Sequence, residues 1–107
     1  MTMHSTARVP TASGSRYLQQ LCKHWSHNLQ VSFTPEEGTV TFPRDMRGTV
    51  FPSEGQVRMI AHPETLEVIV TGADADHVAR LQQVSANHLD RFAFREAPLT
   101  FDWSTPA

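Results

Sequence analysis

The sequence predicts an α+β fold: a two-layer sandwich in which an antiparallel sheet of four to five strands carries two helices on one face. Two observations predict it. Apolar residues recur every three or four positions over 16–28 and again over 75–92, the period of a helix with one buried face. Between them the period falls to two, the mark of strands with one packed and one solvated face. The expected order is α-β-β-β-β-α-β.

Taken in order, residues 1–13 (MTMHSTARVPTAS) read as a flexible N-terminal arm, and 14–104 as a single α+β domain. Ser13 or Ser15 is placed to cap a helix from Arg16 to Asn28, buried along Leu18, Leu21, Cys22 and Trp25. Leu29, Val31 and Phe33 then alternate with Gln30, Ser32 and Thr34 as a first strand. A turn follows, with Pro35 early and Gly38 late, and Val40 and Phe42 belong to the returning strand. Residues 43–55 hold Pro43, Gly48, Pro52 and Gly55 and read as an excursion, with Thr49-Val50-Phe51 as a short edge segment. A second hairpin pairs 56–61 with 65–71 around His62-Pro63-Glu64. Gly72 ends that strand, and Asp74 is the N-cap of a helix to Phe92 with Asp76 in its first turn. Its apolar stripe runs through Val78, Leu81, Val84 or Ser85, His88, Leu89 and Phe92. Leu99, Phe101 and Trp103 alternate with Thr100 and Asp102 and read as the last strand.

Composition removes several function classes. The formal charge of −2 is spread over interspersed signs, with no basic stripe for nucleic acid. No apolar run approaches the ~20 residues that span a bilayer, and the N-terminus lacks the apolar core of a secretory signal. Neither nucleic acid nor membrane is an expected partner. Cys22 is the one cysteine, so no internal disulfide forms, which fits a cytoplasmic chain. Its place on an apolar stripe makes it a buried, inert thiol. Signatures of P-loops, dinucleotide-binding turns, serine-hydrolase elbows and EF-hands are absent.

Histidine is the residue type that remains. There are six, and protonating all of them turns a charge of −2 into +4. His24 and His27 lie three apart on the first helix, close enough to share a metal ion, with His88 of the second helix as a third ligand for iron or zinc. The ordinary alternative makes His24 and His27 surface residues and His88 a core histidine bonded to a backbone carbonyl. Trp25, Phe92, Phe94 and Trp103 read as core, or as the lining of a pocket for a flat ligand. Asp90 and Arg91 read as solvated surface.

Two stretches carry a family resemblance. Ser15-Arg-Tyr-Leu-Gln-Gln-Leu-Cys-Lys-His-Trp-Ser-His27, continued by Val31-Ser-Phe-Thr-Pro35, resembles the opening of the bacterial family catalogued as domain of unknown function 2218. Asn87-His-Leu-Asp-Arg-Phe-Ala-Phe-Arg-Glu96, with Phe101-Asp-Trp103, resembles its closing segment. Residues 43–55 are longer than the family's usual connection. The resemblance implies a small bacterial cytoplasmic protein with a contextual link to siderophore-interacting ferric reductases, and no activity or catalytic residue comes with it. It singles out His24, Trp25, His27, His88 and Arg91 as binding candidates, together with Phe92.

Three functions are open on this reading. One is a non-enzymatic binding or accessory module for iron or a siderophore, with a siderophore-pathway reductase as partner. Another is a self-associating or partner-binding module using the edge near Phe101 or the 43–55 loop. A third is a small enzyme with His88 or His24 as general base.

Overall fold

A computed structural model describes residues 2–46, 49–105 and 107 of the chain. The elements run β1 (Met3–Pro10), α1 (Gly14–Trp25), β2 (Gln30–Phe33), β3 (Glu37–Phe42), β4 (Asp45–Met46), β5 (Thr49–Val50), β6 (Gly55–Ala61), β7 (Thr65–Gly72) and α2 (Ala75–Phe92). Five strands form one antiparallel sheet in the order β1-β7-β6-β3-β2, and β4 and β5 make a separate two-stranded ribbon. Two helices on one sheet give the expected two-layer α+β sandwich.

Register explains the layering. Ala7, Val68, Met59, Gly38 and Phe33 lie in one row across the sheet, and Ser5, Val70, Val57, Val40 and Val31 in the next. Because side chains alternate faces, these rows point to the same side, and the helices cover them. Leu18, Leu21, Cys22 and Trp25 of α1, with Val78, Leu81 and Leu89 of α2, are buried against them. The approach is tightest at Gly38, where a Cβ would fall 2.7 Å from Cys22 Sγ and 3.1 Å from Phe33 Cβ. Gly38 therefore serves as the seat of α1 inside β3; the turn before it closes on Thr34, whose amide donates to Glu37 O at 2.7 Å. Burial pushes the Cys22 thiol up to about 11, so it carries no thiolate at neutral pH.

Both ends of the chain differ from expectation. The arm of 1–13 contains a full edge strand: Met3 to Pro10 pairs residue for residue with Gly72 to Thr65. Its buried face is Ser5, Ala7 and Val9, small enough that the alternation carries little apolar signal. Ser5 is held by a polar relay instead. Its hydroxyl donates to Ser104 O at 2.6 Å and accepts from Gln82 Nε2 at 2.9 Å.

The last strand expected over 99–103 is not a strand. The segment is a strap whose far end hydrogen-bonds along β1: Ser104 N to Thr6 O, His4 N to Ala107 O and Ala107 N to His4 O, at 2.8–3.1 Å. The strap covers the outer edge of β1, which would otherwise present unpaired backbone groups.

Smaller corrections follow from local bonding. α1 ends at Trp25, three residues before Asn28. Ser13 is its N-cap without a side-chain bond, while Ser15 Oγ donates to Pro35 O at 2.6 Å. Thr49 and Val50 pair with β4 and not with the main sheet; Gly48 lies outside the described residues. Phe94, expected in the core, is 72% exposed.

Candidate functional site

The end of α1 and the middle of α2 meet in a cluster of rings. Trp25 is buried and sets its ring edge-on to Phe42 of β3, with centroids 5.0 Å apart at 80°. His88 stands 5.2 Å from Trp25 and 5.7 Å from His24, and His24 is 5.8 Å from Phe92. The His88 Nδ1 lies 2.8 Å from the Val84 carbonyl oxygen one turn earlier. A carbonyl only accepts, so Nδ1 carries the hydrogen.

The rings of His24, Trp25, Phe42 and His88 line an open groove of about 650 Å³. One wall is His24 and Trp25 at the end of α1, with Asn28 and Leu29 just after it. Its α2 wall is Arg80, Gln83, Val84, Asn87, His88 and Arg91, and Phe42, Pro43 and Asp45 close the third side. The volume falls within the ~300–1,000 Å³ usual for small-molecule sites. Charge in the groove is mostly positive: two guanidiniums against the Asp45 carboxylate. Among the described residues neither Arg80 nor Arg91 has a carboxylate within salt-bridge distance.

Four of the five binding candidates, His24, Trp25, His88 and Arg91, thus come to one groove, and His27 does not. The helix stops at Trp25, and His27, two residues past its end, is exposed and outside the groove lining. The three-histidine metal site expected from His24, His27 and His88 is not assembled: among the described residues no group of three His, Cys, Asp or Glu side chains is placed to hold a metal ion. Arg80, Gln83, Asn87 and Asn28 were outside the sequence-based set. The signal for the first three is a polar stripe at 80, 83, 87 and 91, one face of α2 beside its apolar stripe.

The closing signature divides between fold and groove. Asn87, His88 and Arg91 face the groove. Leu89 and Ala93 are core. Asp90, expected as solvated surface, accepts from the Leu99 amide at 2.8 Å and holds the strap. Glu96 accepts from the hydroxyls of Tyr17 and Thr11, tying the strap to the start of α1. That bond to Glu96, with burial, raises the Tyr17 pKa.

A second histidine environment, missed from sequence, lies at the start of α2. His77 is fully buried. Its backbone N–H donates to Asp74 Oδ1 at 2.9 Å, completing the expected N-cap. Its Nδ1 accepts from Ala73 N–H at 2.9 Å, which leaves the hydrogen on Nε2. The ring stacks on Phe51 at 4.1 Å and 4°. Opposite are two glycines: a Cβ at Gly55 would sit 2.8 Å from His77 Nε2, and one at Gly72 2.9 Å from Cγ. Nε2 has no hydrogen-bond partner among the described residues. Burial lowers the pKa of His77, opposed by the Asp74 carboxylate.

Comparison with known proteins finds a family and a fold relative. The profile of a bacterial family described as "Uncharacterized protein conserved in bacteria (DUF2218)" matches residues 6–104. The NMR structure of PA4090 from Pseudomonas aeruginosa is similar at 34% identity and a TM-score of 0.72, over 95% of each chain. No curated protein matches at a significant level. Among the described residues no helix is long and apolar enough to cross a membrane.

Proposed function

The chain belongs to the bacterial DUF2218 family, and from that footing we propose that it is a non-enzymatic binding module of the cytoplasm whose site is the groove between α1 and α2. The observation that carries this is the placement of Arg80 and Arg91, two guanidiniums without carboxylate partners among the described residues, beside a ring-lined floor in one concavity. Such a site takes a small anion with a flat or apolar body. Guanidiniums bind carboxylate or phenolate oxygens by charge-assisted hydrogen bonds, and the rings of Trp25 and Phe42 offer apolar surface. An anionic iron chelator, as in siderophore chemistry, belongs to that class, in line with the link to ferric reductases that the resemblance implies. The iron would arrive inside its chelator, a mode that needs no three-ligand protein site.

The test is fluorescence titration of the Trp103→Phe variant, which leaves Trp25 as the reporter, with ferric citrate and a ferric catecholate. Saturable quenching that Arg91→Gln abolishes supports the reading. Unchanged emission, with no shift of any groove amide in an NMR titration to millimolar ligand, sinks it.

One observation favours a second reading, a partner-binding surface for a protein such as a siderophore-pathway reductase. Phe94 stands 72% exposed with the Arg95 guanidinium 5.7 Å from its ring centre. Phe94→Ser weakening a reductase complex while leaving chelator binding intact would establish it.

A further inference from the structure

Arg80 and Arg91 are the first and last residues that α2 contributes to the groove lining. Arg80 and Arg91 are eleven residues apart on α2 (91 − 80), three helical turns that return to within about 20° of the same face. At ~1.5 Å per residue their Cα levels are separated by roughly 16 Å along the helix axis. Between them the α2 wall presents the amides of Gln83 and Asn87 and the ring of His88, facing Trp25 across the groove.

From this spacing we infer that the ligand is elongated and carries an anionic group at each end, one for Arg80 and one for Arg91, with a mid-section that is apolar on one side and hydrogen-bonding on the other. The inference rests on the groove being the binding site and states what that site selects. A compact monoanion reaches one guanidinium and leaves the other solvated. A linear dianion engages both, and its middle lies against Trp25 while Gln83 and Asn87 supply polar partners. Because a planar guanidinium binds a carboxylate through two parallel hydrogen bonds, each end is recognised in orientation as well as charge. Asp45, the carboxylate in the lining, disfavours an anion on its own side of the groove and leaves the α2 side as the anion side.

The experiment uses α,ω-dicarboxylates from succinate to hexadecanedioate and their monomethyl esters, followed by amide shifts in the intact protein. Arg80 and Arg91 are exposed, so Arg80→Gln and Arg91→Gln keep the fold, which their unchanged spectra elsewhere verify. The expected result is that long diacids bind about tenfold tighter than their monoesters, that succinate gains nothing over its monoester, and that either glutamine variant erases the advantage. Diacids and monoesters shifting the groove amides with equal affinity would overturn the two-ended ligand and leave the groove as a site. Absence of any shift at the groove for the whole series would overturn the groove as a site, and the two-ended ligand with it.

Discussion

His77 and His88 share nearly the same azimuth on one helix, eleven residues (88 − 77) and about 20° apart, yet they live in opposite environments. His77 is sealed between Phe51 and the backbone at Gly55 and Gly72. His88 is half-buried at the edge of an open groove, among rings and amides. Helix periodicity is identical for the two, so what distinguishes them is the partner that the helix meets at each level. At the first turn of α2 it meets the sheet where two glycines bring the backbone close. Three turns later it meets the end of α1, where the chain turns away and leaves space. A histidine in a groove lines a site, while a histidine on a glycine floor is a packing element with a titratable ring.

The sharpest way to break this comparison is to remove each ring. His77→Ala deletes a fully buried ring, leaves a cavity against Phe51 and strips the Ala73 amide of its acceptor. It should cost about 3 kcal/mol of stability, read as a lower urea midpoint at unchanged slope. His88→Ala, at a half-buried site, should cost about 1 kcal/mol or less. Equal losses would mean that His88 is as much a core residue as His77. Gly55→Ala probes the same floor from the other side. Its new Cβ falls 2.8 Å from His77 Nε2 and 2.9 Å from Leu81 Cδ1, so the ring or the helix must shift, at about 1–3 kcal/mol.

Acid sharpens the contrast further. Burial lowers the His77 pKa from 6.5, so below that value the unfolded chain takes up a proton that the folded chain refuses. The stability tied to the neutral ring is therefore complete above pH 6.5 and declines as pH falls below it, at no more than about 1.4 kcal/mol per pH unit. The charged groups in reach are few: the Asp74 carboxylate opposes the shift, and Phe51, Gly55 and Gly72 bring no charge. Urea midpoints at pH 8 and pH 5 should differ more for the wild type than for His77→Phe, which keeps a ring over the glycines and cannot titrate. The same pH dependence in both proteins would assign the acid sensitivity elsewhere.

The sandwich itself was legible because period changes from 3.6 to 2 and back are large signals, and Leu18, Val40, Val68 and Leu81 all sit where that pattern puts them. β1 was not legible, because its buried positions are Ser5, Ala7 and Val9 and its stability comes from backbone pairing to β7 and from the Ser104 strap. The strap reversed the error: Leu99, Phe101 and Trp103 alternate like a strand but pack without joining the sheet. The groove was half legible. His24, Trp25, His88 and Arg91 were singled out by resemblance, whereas Arg80, Gln83 and Asn87 needed the α1–α2 contact to show which stripe of α2 faced a cavity. His77 gave no signal at all, since nothing in a single sequence says that residues 55 and 72 will stand beneath residue 77.

The smallest expected effect on stability separates the two environments most cleanly. His24 is exposed at the end of α1, and its ring meets His88 and Phe92 only from outside the core. His24→Ala should therefore leave stability within about 0.5 kcal/mol of wild type. It nevertheless removes one ring from the lining of the groove. If the groove binds anions against these rings, the variant loses affinity for them at an unchanged fold, read in the same ligand titration. A variant that keeps both its stability and its ligand affinity would return His24 to the ordinary surface. It would also leave Arg80 and Arg91 as the groove's whole claim on an anion.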